Sequence, residues 1–264
     1  MQLLQHNTNA LQSHVSYCLY LPKVQGDLEE PREKCYKCMR VASSCICKHT
    51  NPIYTNTRFV ILMHPKEHRK EKNGTGRMTN LQLENSEIIV GVDFTNNKRV
   101  NEILTNEKNG SFLLYPGQEN FNLSVNKSSE IVSFLSNSPY IFILDGTWPC
   151  ARKMLKLSKN LHKLKRVSFD NEIKSKFIIK QQPESLCLST IESVYTVINL
   201  LKGSGLEQSS TEKFLAPFEK MIEFQVKCIL NPNNNHYRPN RKTEIIAKNM
   251  YKKPRQRNIV FEER

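Results

Sequence analysis

Glycine, proline and long apolar runs are all scarce in this chain. Only 9 of its 264 residues are glycine and 12 are proline, which excludes a collagen-like repeat and long flexible linkers. No stretch approaches about 18 consecutive apolar residues, and the first six residues do not combine a basic segment with an apolar one. We therefore expect neither a membrane span nor a secretory signal. The expected location is cytoplasmic.

Acidic residues are also in the minority. The chain has 25 Asp and Glu against 39 Lys and Arg, a formal net charge of +14. Nucleic acid is the partner that such a charge favours. Apolar residues make up 38% of the chain, which is low for a globular protein but sufficient for a core at this length.

Four of the eight cysteines fall close together in the pattern C-x2-C-x6-C-x-C. They are Cys35, Cys38, Cys45 and Cys47. This spacing predicts four thiolates around one tetrahedral zinc ion, a closed and therefore structural site. A redox C-x-x-C pair and unligated cysteines are the alternatives, and His49 is a possible substitute ligand. The remaining cysteines are isolated and are interpreted as small core residues. They are Cys18, Cys150, Cys187 and Cys228.

Short apolar runs that alternate with longer polar or helical stretches predict an α/β fold with a parallel sheet and flanking helices. The predicted strands are 58–63, 87–92, 111–115, 140–144 and 176–179, with a long polar loop over 64–79. Apolar residues at helical spacing predict helices from Ser189 and from Thr211. The predicted organisation is a lead-in over 1–30, a zinc knuckle over 31–50, an α/β domain over 51–235 and a basic tail over 236–264.

The ends of three predicted strands carry unusual residues. One strand runs into Asp145-Gly146-Thr147-Trp148, and another ends in Tyr115-Pro116-Gly117. In open α/β sheets, ligands bind at the carboxyl ends of the strands. The simpler alternative makes Asp145 and Thr147 helix-capping residues and Trp148 a core anchor. The Gly-x-Gly after the first strand is too short to be a phosphate loop by itself.

Taken in order, the motifs of this chain resemble the DTW-domain family of tRNA-uridine aminocarboxypropyltransferases. The matching segments are the four cysteines, His64-Pro65-x-Glu67, Asn73-Gly74-Thr75-Gly76-Arg77, Tyr115-Pro116-Gly117, Asp145-Gly146-Thr147-Trp148 with Ala151-Arg152-Lys153-Met154, and Ser189-Thr190-x-Glu192. Two departures are visible: Gly146 splits the Asp-Thr-Trp triplet, and Gly74 interrupts the commoner Asn-Thr-Gly-Arg.

The resemblance implies a fold and a reaction. The fold would be related to the SPOUT class, with a knotted C-terminal half, and residues 51–235 would be the catalytic domain. The enzyme would use S-adenosylmethionine, transfer its 3-amino-3-carboxypropyl group to N3 of a tRNA uridine and release 5′-methylthioadenosine. An RNA methyltransferase of related fold and a non-catalytic zinc-containing RNA-binding protein are the rival interpretations.

The resemblance also indicates site residues. The expected cofactor-binding residues are Leu114, Tyr115, Pro116, Gly117, Asp145, Gly146, Thr147, Trp148, Ser189, Thr190 and Glu192. Asp145 is the expected catalytic residue, either as the base for N3, which would require desolvation to raise its pKa, or as the ligand of the cofactor amino group. Glu192 is expected either to orient other groups or to close a helix capping box.

A basic surface is expected beside this pocket. Ten Lys and Arg lie between 152 and 180 against two acidic residues. Most charge runs are solvated faces, but an excess beside a cofactor pocket favours contacts with tRNA phosphates. The predicted RNA-binding residues are His64, Arg69, Lys70, Asn73, Arg77, Arg152, Lys153, Lys163 and Lys165.

Overall fold

The computed structural model describes residues 33–231 except 72, 106–109, 118–119, 136–137, 172–173 and 180–186. The predicted lead-in over 1–30, with Cys18, and the predicted tail over 236–264 lie outside these residues. Among the helices that are described, none has the length and apolar content needed to cross a bilayer.

Six parallel strands form one sheet, in the order β2-β1-β5-β3-β6-β4. Their bounds are β1 Arg58–Met63, β2 Glu87–Val90, β3 Ser111–Leu114, β4 Asn120–Asn122, β5 Tyr140–Asp145 and β6 Lys165–Ser168. Alternate residues of the central strands enter two separate buried clusters, one on each face of the sheet. The predicted α/β fold with a parallel sheet is confirmed. The prediction was possible because strands that are buried on both faces need near-continuous apolar runs, as in β1 and β5.

One predicted strand is wrong and two observed strands were not predicted. Residues 176–179 are a bend and a turn rather than a strand. Their apolar character reflects the ring of Phe177, which is buried edge-on against Phe218 at 5.4 Å between centroids. Strands β4 and β6 escaped prediction because they lie at one side of the sheet and are polar, with Val167 as the one fully buried residue between them.

The predicted polar loop over 64–79 is also wrong, because two helices occupy most of it. They are α1 Pro65–Lys70 and α2 Thr75–Gln82. Helix α2 buries mainly Thr75, Gly76, Thr79 and Gln82, so it has no apolar stripe from which a helix could be predicted.

The remaining helices cover the two faces of the sheet. They are α3 Lys98–Leu104, α4 Ser128–Leu135, α5 Trp148–Leu157, α6 Thr190–Gly203 and α7 Ala216–Leu230. The helix predicted from Ser189 is confirmed as α6, and the one predicted from Thr211 begins five residues later as α7. Helices α6 and α7 both contact α2.

Two 3₁₀ helices, Ala42–Ser44 and Cys47–His49, fold the cysteine-rich segment. The second packs against α7. Cys38 and Ile46 are buried in the same cluster as Met78 of α2 and Phe218 of α7. The cysteine-rich segment therefore shares the core of the α/β domain.

Candidate active site at the carboxyl edge of the sheet

Three of the predicted motifs meet where neighbouring parallel strands end. Met63 of β1 is in register with Asp145 of β5, and Leu114 of β3 with Ile143. His64, Gly146 and Tyr115 consequently leave the sheet at one edge, which is the position where open α/β sheets bind ligands.

The carboxylate of Asp145 lies at the centre of this edge. The residue is 4% exposed, and the Thr190 hydroxyl donates to its Oδ1 at 2.6 Å. Gly76 approaches from the other side, so closely that a Cβ there would lie 2.5 Å from Oδ2. Thr190 and Gly76 belong to the first turns of α6 and α2, whose positive ends stabilise a negative charge. The carboxylate of Asp145 thus lies between the N-termini of two helices.

His64 adjoins Asp145 and is fixed by its role as the N-cap of α1. Its ring Nδ1 accepts from the backbone N–H of Lys66 at 3.1 Å, and the backbone N–H of His64 donates to the backbone carbonyl of Asp145 at 2.9 Å. Burial lowers the pKa of His64 below its ordinary value, and the positive charges of Lys66 and Lys153 lower it further. The ring is therefore neutral at pH 7, and because Nδ1 accepts, Nε2 carries the proton and can donate it to a ligand.

An aromatic pair lies at the same edge of the sheet and packs against the second buried cluster. The rings of Tyr115 and Trp148 meet edge-on with centroids 6.3 Å apart, and the guanidinium of Arg166 lies over the Tyr115 ring at 5.9 Å. Gly117 makes room for Arg166, since a Cβ there would lie 2.7 Å from its Nη1. Trp148 is partly buried against the core, which agrees with the core-anchor interpretation, and Thr147 is the N-cap of α5.

Glu192 holds the start of α6 in place. Its carboxylate accepts from the Ser189 N–H at 2.9 Å in a complete capping box, as the capping interpretation predicted. It also accepts from the Ser175 hydroxyl and the Lys176 N–H, each at 2.7 Å. Glu192 therefore ties the 175–176 loop to the helix that presents Thr190 to Asp145.

The predicted RNA-binding residues are divided between the two edges of the sheet. Arg69 of α1 and both Arg152 and Lys153 of α5 are exposed near the carboxyl edge. Lys163 and Lys165 lie at the opposite end, since Lys165 starts β6. The Lys165 ammonium lies 5.2 Å from the centroid of the Phe134 ring and lines a shallow groove there.

Three further members of the predicted RNA-binding set lie on α1, on α2 or between these helices. Arg77 donates to the His68 carbonyl at 3.1 Å. Asn73 Oδ1 accepts from Arg40 Nη1 at 2.6 Å. Lys70 ends α1, and its side chain is outside the described part of the structure.

The four clustered cysteines could hold a metal ion, because all their sulfur atoms lie within 4.8 Å of one another. The Sγ atoms of Cys35 and Cys47 are 3.6 Å apart, and those of Cys38 and Cys45 are 3.8 Å apart. A tetrahedral ion with zinc–sulfur bonds of about 2.3 Å places its sulfurs about 3.8 Å apart. The backbone N–H groups of Cys38 and Lys37 lower the pKa of Cys35 to about 6. The donor set and its spacing therefore fit zinc.

Arg40 connects this cysteine cluster to the site around Asp145. It is buried, donates from Nε to the Ser44 carbonyl at 2.7 Å and reaches Asn73 as described above. Asn73 lies three residues before Gly76, which abuts Asp145. The conformation of the cysteine loop and that of the turn beside Asp145 are thereby linked.

Comparison with known proteins identifies the family. The DTW domain model matches residues 32–226, about three quarters of the chain. The chain belongs to the DTW-domain family.

Curated relatives of this DTW domain carry the name tRNA-uridine aminocarboxypropyltransferase 2. The proteins of Macaca fascicularis and Mus musculus are 27% and 25% identical over 74% and 75% of this chain. The chain spans only 64% and 65% of their lengths. The protein of Drosophila melanogaster is 29% identical over 89% of this chain and 90% of its own length. No solved structure matches the chain significantly.

Three residues of this DTW domain were not predicted as site residues. Gly76 was quoted only as part of a motif, and its contact with Asp145 depends on a helix that the sequence did not reveal. Arg166 lies in the basic run over 152–180, where nothing in the sequence separates it from its neighbours. Arg40 follows Cys38 closely, and its burial, rather than its charge, distinguishes it from the other basic residues of the segment.

A pH series on the DTW domain tests the state of His64. Its folded-state pKa lies below the unfolded value of 6.5, so the unfolded chain binds the proton more readily. Its contribution to the free energy of unfolding is fully present above pH 6.5 and is lost as pH falls toward the folded pKa. We expect His64→Asn, which keeps an N-cap acceptor but does not titrate, to reduce the slope of the free energy of unfolding against pH, measured by urea unfolding. His162→Asn, on an exposed position, is the matched control, and equal slopes for wild type and His64→Asn would contradict the assignment.

Proposed function

We propose that the protein transfers the 3-amino-3-carboxypropyl group of S-adenosylmethionine to N3 of a uridine in tRNA and releases 5′-methylthioadenosine. The observation that carries the proposal is the buried Asp145 carboxylate between the first turns of α2 and α6, at the carboxyl edge of the sheet where the Tyr115–Trp148 pair also lies. The membership in the DTW-domain family and the names of the relatives support it.

The residues at this edge fit the charge of S-adenosylmethionine. The molecule carries a sulfonium and an ammonium group, and both aromatic rings and a carboxylate are suitable partners for such cations. The predicted cofactor-binding residues lie on segments that meet here: 114–117 after β3, 145–148 after β5 and 189–192 at the start of α6. Bound S-adenosylmethionine supplies an electrophilic carbon attached to the sulfonium sulfur.

Asp145 is assigned to the cofactor amino group rather than to proton abstraction. The Thr190 hydroxyl and the N-termini of α2 and α6 stabilise its negative charge, and a carboxylate stabilised in this way is a better cation ligand than a base. His64 is assigned to the uracil. Its neutral Nε2–H can donate to a uracil carbonyl and stabilise the negative charge that develops as N3 loses its proton.

The fold and location belong to the same proposal. We propose a relationship to the SPOUT class with a knotted C-terminal half. It is supported by the wholly parallel sheet and by the insertion of β5 between β1 and β3. A cytoplasmic tRNA is the proposed partner of Arg69, Arg152 and Lys153 at the carboxyl edge.

A direct assay tests the reaction. The purified protein is incubated with S-adenosylmethionine and unmodified tRNA, and both the small-molecule product and the tRNA nucleosides are analysed by mass spectrometry. We expect 5′-methylthioadenosine and a uridine heavier by one aminocarboxypropyl group. Release of S-adenosylhomocysteine would replace the proposal with methyl transfer, and tRNA binding with intact S-adenosylmethionine would leave a non-catalytic RNA-binding protein.

The variant Asp145→Asn separates the possible roles of this residue. It keeps the shape but removes the negative charge. If the carboxylate holds the cofactor amine, we expect S-adenosylmethionine affinity to fall by about tenfold or more, together with the rate. Calorimetric titration measures the S-adenosylmethionine affinity, and a single-turnover assay measures the rate of transfer.

Two other results would change the assignment of Asp145. A rate loss of about a hundredfold with unchanged cofactor affinity would make it the base. A lowered melting temperature with full activity of the folded fraction would leave it a structural role. Thr190→Val is the matched control, since it removes one hydrogen bond and keeps the charge.

We also propose that the cysteine cluster holds one structural zinc ion. Burial raises the pKa of the Cys47 thiol, so zinc must displace its proton, and zinc affinity should rise with pH. We expect one zinc per chain by elemental analysis. We expect Cys47→Ser to lose the metal and to lower the melting temperature, because the cluster shares its core with α2 and α7. Cys228→Ser, outside the cluster, is the control; metal-free wild-type protein of normal stability would overturn the proposal.

A further inference from the structure

The turn between Cys35 and Cys38 exposes an aromatic side chain among basic residues. Tyr36 is 92% exposed, and Met39 beside it is 48% exposed. Lys34 and Lys37 adjoin them in sequence, Lys48 follows Cys47, whose sulfur lies 3.6 Å from that of Cys35, and all three lysines are exposed. We call these five residues the knuckle tip.

The backbone of the knuckle tip is firmly held. The Cys35 N–H donates to the Arg40 carbonyl at 2.8 Å, and the Met39 N–H donates to the Cys35 carbonyl at 2.7 Å. Met39 has a φ of 59°, a left-handed conformation that closes the turn. A ring presented on a fixed turn loses little conformational entropy when it makes a contact.

The charge of the knuckle tip favours nucleic acid as the occupant. The knuckle tip carries three lysines, and Glu33 is the one acidic residue in the described part of this segment, 33–50. An exposed aromatic face stacks on an unpaired base of any identity, and adjacent lysines contact the phosphates on either side. Protein–protein interfaces, in contrast, are depleted in lysine.

The position of the knuckle tip agrees with this occupant. Arg40 directly follows Met39 and bonds to Asn73, and the Asn73–Arg77 segment carries the glycine that touches Asp145. The tip is therefore attached to the flank of the candidate active site, on the side of α2. A tRNA whose uridine lies at Asp145 extends beyond the pocket and needs further contacts there.

We infer that the knuckle tip is a docking surface for tRNA, on which Tyr36 stacks against an unpaired base while Lys34, Lys37 and Lys48 contact phosphates. The inference rests on the proposed function for the identity of the RNA. It gives the metal-binding segment a role in substrate binding in addition to its role in the fold.

The test compares Tyr36→Ala with Tyr36→Trp in the full chain. Loss of one stacked base should weaken tRNA binding by about tenfold and raise KM for tRNA with little change in kcat. S-adenosylmethionine affinity and zinc content should stay at wild-type values, and Tyr36→Trp should retain tRNA affinity. Tyr54→Ala is the matched control, because Tyr54 is 61% exposed but precedes β1 at the opposite edge of the sheet.

A charge variant gives an independent measurement. Lys37→Glu should lower tRNA affinity. It should also reduce the magnitude of the slope of log affinity against log salt by about one, which corresponds to the loss of one phosphate contact. If Tyr36→Ala loses zinc, the test rests on a zinc-replete Lys37→Glu protein, and unchanged tRNA affinity in that protein overturns the inference.

Unchanged tRNA affinity in a zinc-replete Tyr36→Ala protein, or a loss equal to that of Tyr54→Ala, would overturn the inference. Failure of the proposed function is seen separately. A wild type that releases no 5′-methylthioadenosine but binds tRNA through Tyr36 retains the docking surface and loses the reaction.

Discussion

The contact of a buried carboxylate with a glycine organises the carboxyl edge of the sheet. Burying a carboxylate is costly unless donors and positive potential surround it. The hydroxyl of Thr190 and the N-termini of two helices supply them, and the absence of a Cβ at Gly76 lets one of those helices come close enough. Strand β5, helix α2 and helix α6 are thereby placed relative to one another by one side chain.

A second layer of contacts extends this arrangement outward. Glu192 fixes the start of α6 and the loop before it, while Arg40 fixes the turn before α2 from the side of the cysteine cluster. Both residues are buried ions whose partners are mainly backbone groups and short polar side chains. Such contacts are stiff, so the geometry of the cysteine cluster can influence the geometry at the carboxylate without direct contact between them.

The sequence predicted the strands whose two faces are both buried, because burial demands the continuous apolar runs of β1, β3 and β5. Prediction from the sequence failed where buried residues are polar or where buried apolar residues lie outside strands and helices. Helix α2 buries glycine, threonine and glutamine, and β6 completes the sheet with Lys165 and Arg166. Phe177 produces the opposite error, since an aromatic residue buried from a loop resembles part of a strand.

The candidate site follows the same division. Motif order identified Asp145, Tyr115, Trp148 and Thr190, and the parallel topology brought them to one edge as expected. The partners that position them could not be read from the sequence, because their importance comes from proximity. The contact between Gly76 and Asp145 spans 69 positions of the chain, and that between Arg40 and Asn73 spans 33.

The strand order has a consequence for biosynthesis. Strands β1 and β3 are made first, yet neither can pair with the other, because β5 lies between them. The middle of the sheet stays open on the ribosome until residues 140–145 have emerged, and long-range pairing of this kind is slow. Strand β5 joins β1 to β3 and also ends in Asp145, so the joining of these strands and the placement of the central carboxylate are one event. Strand β6, which joins β3 to β4, and helix α6, which presents Thr190 to that carboxylate, follow later in the chain. A nascent chain that has just completed β5 therefore has the carboxylate in place before its hydroxyl partner.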